Sequence, residues 1–130
     1  MKKNKKIIEP QALGPYSQSY TANGFIFCSG QIGIDPETKL LAEGIVSQTH
    51  QVMKNLQAVL QEAGSDLNAV VKTTIYLKNV EDFFKVNEIY AHYFGDHKPA
   101  RATVGVADLP RGKFVKSPLI EIEAVAEVTK

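Results

Sequence analysis

A chain of 130 residues, 44% hydrophobic and 22% charged, is long enough to bury a core as one domain spanning 1–130 without disulfides or metal ions. Its 15 basic and 14 acidic side chains leave a formal charge of +1, which gives the whole domain no pull toward nucleic acid. One cysteine forms no internal bridge; no Asn-x-Ser/Thr triplet, no signal-peptide run of ~7–15 apolar residues and no ~20-residue apolar span occurs, so a reducing cytoplasm is the expected setting.

Lys2, Lys3, Lys5 and Lys6 make the only dense basic run, expected as a solvated, flexible tail over residues 1–6. Residues 17–22 and 25–28 flank Asn23-Gly24, a pair that reaches the positive φ angles of a tight hairpin turn. From Ser47, the apolar positions Val52, Met53, Leu56, Val59, Leu60 and Ala63 recur at helical spacing, with Ser47 as N-cap and Gly64 as terminator. Residues 71–77 alternate and are rich in β-branched side chains, which predicts a strand. A second helix is expected over about 80–94, its stripe of Phe83, Val86, Asn87, Tyr90 and Phe94 read as core and Gly95 as its end. Strands over 102–106 and 120–128 complete the pattern. Two helices cover one side of such a sheet, yet Phe25 and Phe27 point away from Ile26 and Cys28, and Val125 away from Ile120 and Ile122. The second apolar face calls for a partner, most simply a symmetric copy of the chain.

His50, His92, His97 and Cys28 show no zinc-ligand spacing, so no metal is expected. Cys28, after Phe-Ile-Phe, reads as a small buried hydrophobe. Gly30-x-x-Gly33 lacks the rest of a dinucleotide loop. Arg101 opens an apolar strand, and its planar fork of donors suits a carboxylate or phosphate. Glu121 and Glu123 share one strand face. Taken singly, the arginine is a surface ion-pair residue, the glutamates a solvated edge and Tyr16 a turn aromatic.

Together they stand in a recognisable order: Ile8-Glu9-Pro10-x-Ala12-x-Gly14-Pro15-Tyr16-Ser17-Gln18, Cys28-Ser29-Gly30-Gln31-Ile32-Gly33-Ile34-Asp35-Pro36, Val71-Lys72-Thr73-Thr74, Val86-Asn87, Pro99-Ala100-Arg101, and Ile120-Glu121-Ile122-Glu123-Ala124-Val125-Ala126. From Ile8 to Ala126 the chain resembles the Rid family, the YjgF-type imine deaminases. The resemblance implies an α+β, chorismate-mutase-like fold: a mixed sheet with two helices on one face, assembled as a homotrimer around a barrel, with ligand clefts between subunits. It implies cofactor-free hydrolysis of enamines and imines, such as 2-aminoacrylate, 2-iminopropanoate and 2-iminobutanoate, to 2-oxo acids and ammonia.

By the same resemblance Arg101 clamps the substrate carboxylate and Glu121 positions or activates water. Tyr16, Ser29, Gly30, Gln31 and Asn87 line the cleft, and Thr103 stands where some members carry cysteine. The ten residues 111–120 between Leu109-Pro110 and Glu121 exceed the usual connection and are expected to tune access. Two other functions fit the same residues: a regulatory module that binds 2-oxo acids without turning anything over and, ranked last, an endoribonuclease or translation inhibitor.

Overall fold

A computed structural model describes residues 9–130; the basic tail expected over 1–6 lies outside the described residues. Strands β1 (Ser19–Ala22) and β2 (Phe25–Gln31) form the hairpin, with Asn23 and Gly24 both at positive φ, 52° and 82°. Helix α1 (Gly44–Glu62) leads to β3 (Val70–Leu77), α2 (Phe83–Phe94), β4 (Ala100–Gly105) and β5 (Ile120–Glu127).

Helix α1 begins three residues before the expected Ser47 cap. Its N-cap is Glu43, whose side chain makes no capping bond. Tertiary bonding anchors the first turns instead: buried Gln48 donates from Nε2 to the Ala42 carbonyl at 3.0 Å and accepts the Leu119 amide at 2.8 Å. Burial of Ile45 against the sheet draws in the extra turn. The helix ends as expected, with the Ser65 and Gly64 amides bonding back to the Leu60 and Gln61 carbonyls in a Schellman arrangement. The expected second helix divides into a 3₁₀ turn, Val80–Asp82, and α2 proper.

The sheet runs β1-β2-β5-β3-β4. It is mixed: β3 and β4 are parallel, joined through α2, and the other pairings are antiparallel. The last strand thus inserts at the centre and β4 becomes an edge. Both helices pack on one face, where Ile26, Ile75, Leu77, Ile120, Ile122, Ala124 and Ala126 meet Val52, Met53, Leu56, Leu60, Val86 and Phe94. The opposite face is open. There Tyr20, Phe27 and Val125 pair across β1, β2 and β5, and Phe27 is 50% exposed. A concavity of about 220 Å³ on this face is lined by Phe27, Lys72, Thr74 and Glu123 among others. Among the described residues no helix is long and apolar enough to cross a membrane.

Candidate active site

Register decides which side chains can meet. On β3, Thr73 is buried and its hydroxyl bonds to that of Tyr90 on α2 at 2.7 Å, which fixes Thr73 on the helix-covered face. Arg101 is the register partner of Thr73 on β4 and shares that face. Its guanidinium carbon lies 5.0 Å from the Tyr90 ring centroid and 5.7 Å from that of Phe83, within cation–π range. No carboxylate among the described residues pairs with it; the ion pair found there joins Lys78 to exposed Asp108. Thr103, partner of Ile75, stands two residues along the same face. Among the described residues the buried Thr103 Oγ1 has no hydrogen-bond partner, and neither has Asn87 Oδ1 on α2. Buried polar atoms are rarely left unmatched without reason. One group thus holds a cation with free donors and two unsatisfied polar atoms.

The remaining candidates gather elsewhere. Between Cys28 and Gln31 the pairing of β2 with β5 slips by one residue, a bulge that brings Ser29 and Gly30 against β5. Gly30 lies directly under Glu121: a Cβ there would overlap Glu121 Oε2 and stand 2.6 Å from Cδ and 2.8 Å from Cγ. Ser29 and Gln31 are occupied in framing. The Ser29 hydroxyl donates to the Ser17 carbonyl at 2.6 Å, and the Gln31 amide donates to Ser29 O and Gln18 Oε1. Gln18 in turn donates to the Pro10 carbonyl. The Tyr16 hydroxyl accepts the Leu13 amide at 3.2 Å, and Tyr16 lines a cleft of about 40 Å³ together with Gly30 and Gln31. Glu121 has no hydrogen-bond donor among the described residues. Burial first, and the Glu123 charge second, raise its carboxyl above its ordinary value.

The sequence candidates therefore form two groups: Arg101, Asn87 and Thr103 on the helix-covered face of the sheet, and Glu121 over Gly30 on the open face, with Tyr16, Ser29 and the buried Gln31 gathered about the end of β2. Tyr76, the β3 partner of Glu121, is three residues from Thr73, the partner of Arg101. That is about 10 Å along β3, with β4 and β5 each about 4.8 Å to either side of it. Within one chain a small molecule cannot touch both.

Phe83 and Tyr90, read from sequence as plain core, also carry the arginine; their signal is the seven-residue spacing that places both rings on one flank of α2. Cys28 is buried and burial, followed by the Glu9 charge, pushes its thiol up to about 12, away from nucleophilic use. Among the described residues no three His, Cys, Asp or Glu side chains group as ion ligands.

The Gly30 contact yields a direct expectation. Gly30→Ala should displace the Glu121 carboxyl without unfolding the chain, because the flexible tip of a side chain must move and the backbone need not. Any turnover that relies on Glu121 should fall at least tenfold, while the denaturation midpoint in urea shifts little; unchanged turnover in Gly30→Ala would sever Glu121 from the chemistry.

The sequence profile described as endoribonuclease L-PSP matches residues 6–128. A RutC family protein of Pyrococcus horikoshii is 52% identical over 118 residues, covering 90% of each chain. The human 2-iminobutanoate/2-iminopropanoate deaminase is 47% identical over 118 residues, covering 90% of this chain and 82% of its own. The crystal structure of RidA from the Antarctic bacterium Psychrobacter sp. superposes with a TM-score of 0.87 at 38% identity, over 95% of this chain and 97% of that one.

Proposed function

Since the chain belongs to the Rid family of YjgF- and RutC-type proteins, we propose that it hydrolyses reactive enamines and imines of small amino acids, 2-aminoacrylate, 2-iminopropanoate and 2-iminobutanoate, to 2-oxo acids and ammonia. The observation that carries this reading is the Arg101 guanidinium, unpaired among the described residues and seated on Tyr90 and Phe83 in one group with the Asn87 and Thr103 oxygens, which also lack partners there. A cation with its donors free is prepared for a carboxylate, the group every 2-imino acid carries.

The reaction follows from that anchor. Arg101 takes the carboxylate in a two-bond fork, and the C=N carbon is directed at a water held by Glu121. Holding the two together supplies most of what an already electrophilic protonated imine requires. The half-buried Glu121 carboxylate accepts a proton from the water as oxygen bonds to carbon. Glu121 returns that proton to the carbinolamine nitrogen, ammonia departs and takes up the hydroxyl proton as the C=O forms, and the 2-oxo acid leaves with Glu121 again a carboxylate. Water, an electrophilic carbon and proton transfer suffice, so the reaction calls for no cofactor.

The site is composite. One Rid-type domain, residues 1–130, assembles as a chorismate-mutase-like homotrimer in the cytoplasm, its open sheet faces enclosing a barrel. Tyr20, Phe25, Phe27 and Val125 give that face reason to be covered. Each cleft then takes Arg101, Asn87 and Thr103 from one copy and Tyr16, Gly30 and Glu121 from the next, with Ser29 and Gln31 framing it. The loop 111–120 enters β5 directly before Glu121 and sets which substrate side chains pass.

Imines released by an amino-acid oxidase in the presence of semicarbazide provide the test: the protein should shorten the life of the trappable intermediate. Light scattering should give about three chain masses. Binding of pyruvate by a trimer with no effect on imine lifetime would leave the regulatory reading in place. A stable monomer would remove the composite cleft.

A further inference from the structure

On the open face β5 presents two carboxylates, and one of them has a hydrogen-bond donor. The Tyr76 hydroxyl donates to Glu123 Oε2 at 3.0 Å. In the sheet register, however, Tyr76 stands opposite Glu121, and Thr74 stands opposite Glu123. The phenol therefore passes its own cross-strand partner and fastens the next carboxylate along the strand, a diagonal reach open to long aromatic side chains. Side chains two apart on a strand are about 7 Å from each other. Glu123 is thus fixed beside Glu121, while Glu121 has the Gly30 backbone against it and no hydrogen-bond donor among the described residues.

We propose, resting on the hydrolase reading above, that Glu123 is a positioning residue for that reaction: pinned by Tyr76, its negative charge makes the Glu121 carboxylate a stronger proton acceptor for the attacking water. A like charge a few ångströms away favours the protonated form of its neighbour, and a base acts best when its proton affinity approaches that of the working solution. Tyr76 fixes the geometry without competing for Glu121, and its own phenol is held protonated, by burial and then by its bond to Glu123. The other charged groups near Glu121 are few. Lys78 stands two residues beyond Tyr76, with its ammonium 3.7 Å from Asp108 in the loop after β4. Lys72 lies farther along β3, beside Glu123 in the open-face concavity. From β2 the neighbour is Gly30, which has no charge. In the proposed trimer the partner subunit's Arg101 enters from across the cleft and opposes Glu123. Burial also raises the Glu121 carboxyl, and more strongly than Glu123 does, so losing Glu123 should remove part of the effect.

Carboxyl-13C glutamate NMR reads Glu121 directly, its signal assigned by its disappearance in Glu121→Gln. In trimeric Glu123→Gln the Glu121 titration midpoint should move to lower pH than in wild type. Tyr76→Phe should move it in the same direction by less, and the double variant should match Glu123→Gln alone. The acid limb of kcat should follow: relative to its own plateau, Glu123→Gln should run several-fold faster than wild type at the acid end. An unchanged Glu121 midpoint in Glu123→Gln overturns the proposal, as does a Tyr76→Phe shift that persists undiminished without Glu123. Because the NMR midpoint needs no turnover, a shifted midpoint in a protein that hydrolyses no imine would count against the hydrolase reading and leave the coupling intact.

Discussion

Arg101→Ala should remove nearly all imine turnover and all 2-oxo acid binding, while the chain stays folded and trimeric. Losing one partner of a desolvated, hydrogen-bonded charge pair costs about 2 to 5 kcal/mol, or about 30- to several-thousand-fold in kcat/KM. The cost to the fold is smaller. The guanidinium pairs with no carboxylate among the described residues, and its contacts are the two aromatic faces of Tyr90 and Phe83. Cation–π contacts of this kind contribute about 0.5 to 2 kcal/mol each. Truncation also relieves a charge that is part-buried without a partner, which offsets some of that loss. Lysine separates charge from shape: Arg101→Lys keeps a cation over the rings but loses the planar fork, and should remain severely impaired. Calorimetric titration with pyruvate beside the semicarbazide assay makes the comparison. Wild-type turnover in Arg101→Ala would end the clamp assignment, and near-normal kcat/KM in Arg101→Lys would show that charge alone suffices.

Local signals explain why most elements could be read from the sequence. Asn23-Gly24 specifies its hairpin through backbone angles that few other pairs reach. The alternation in β3 and the stripe in α2 reflect burial on one face, which acts residue by residue. The start of α1 could not be read that way, because Gln48 bonds to Ala42 and to Leu119, the latter 71 residues away in sequence. Strand order was equally hidden. Glu121 and Glu123 look like a solvated edge when taken alone, yet β5 inserts between β2 and β3 and becomes central. The site residues were recognisable as a set through the family blocks, but their division between two faces depends on the registers Thr73–Arg101 and Tyr76–Glu121. No periodicity carries information of that kind. The bulge that brings Gly30 beneath Glu121 is likewise a property of the pairing and not of the Ser29-Gly30 dipeptide.

The proposed division of the site between copies predicts the largest effect expected of any experiment on this protein, a recovery of activity from two inactive partners. Glu121→Gln should still bind pyruvate, because its arginine half is untouched, but should turn over little, because an amide accepts hydrogen bonds and takes no proton at working pH. Arg101→Ala should do neither. Mixed in equal amounts, unfolded and reassembled, the two form trimers in which each cleft draws its arginine group from one copy and its glutamate group from the next. A cleft is intact when the first copy is Glu121→Gln and the second is Arg101→Ala. Random assembly makes that about one cleft in four, so the mixture should recover about a quarter of wild-type activity from components that have almost none. If one chain supplied both groups, every cleft would carry a defect and mixing would recover nothing. The separation in the sheet favours the first outcome, since Arg101 and Glu121 lie on opposite faces, about three residues apart in register and with β3 between them. Native mass spectrometry of the reassembled sample, with one variant isotopically labelled, shows whether mixed trimers formed. Mixed trimers without recovered turnover would rule out the composite site even if both single variants behave as expected.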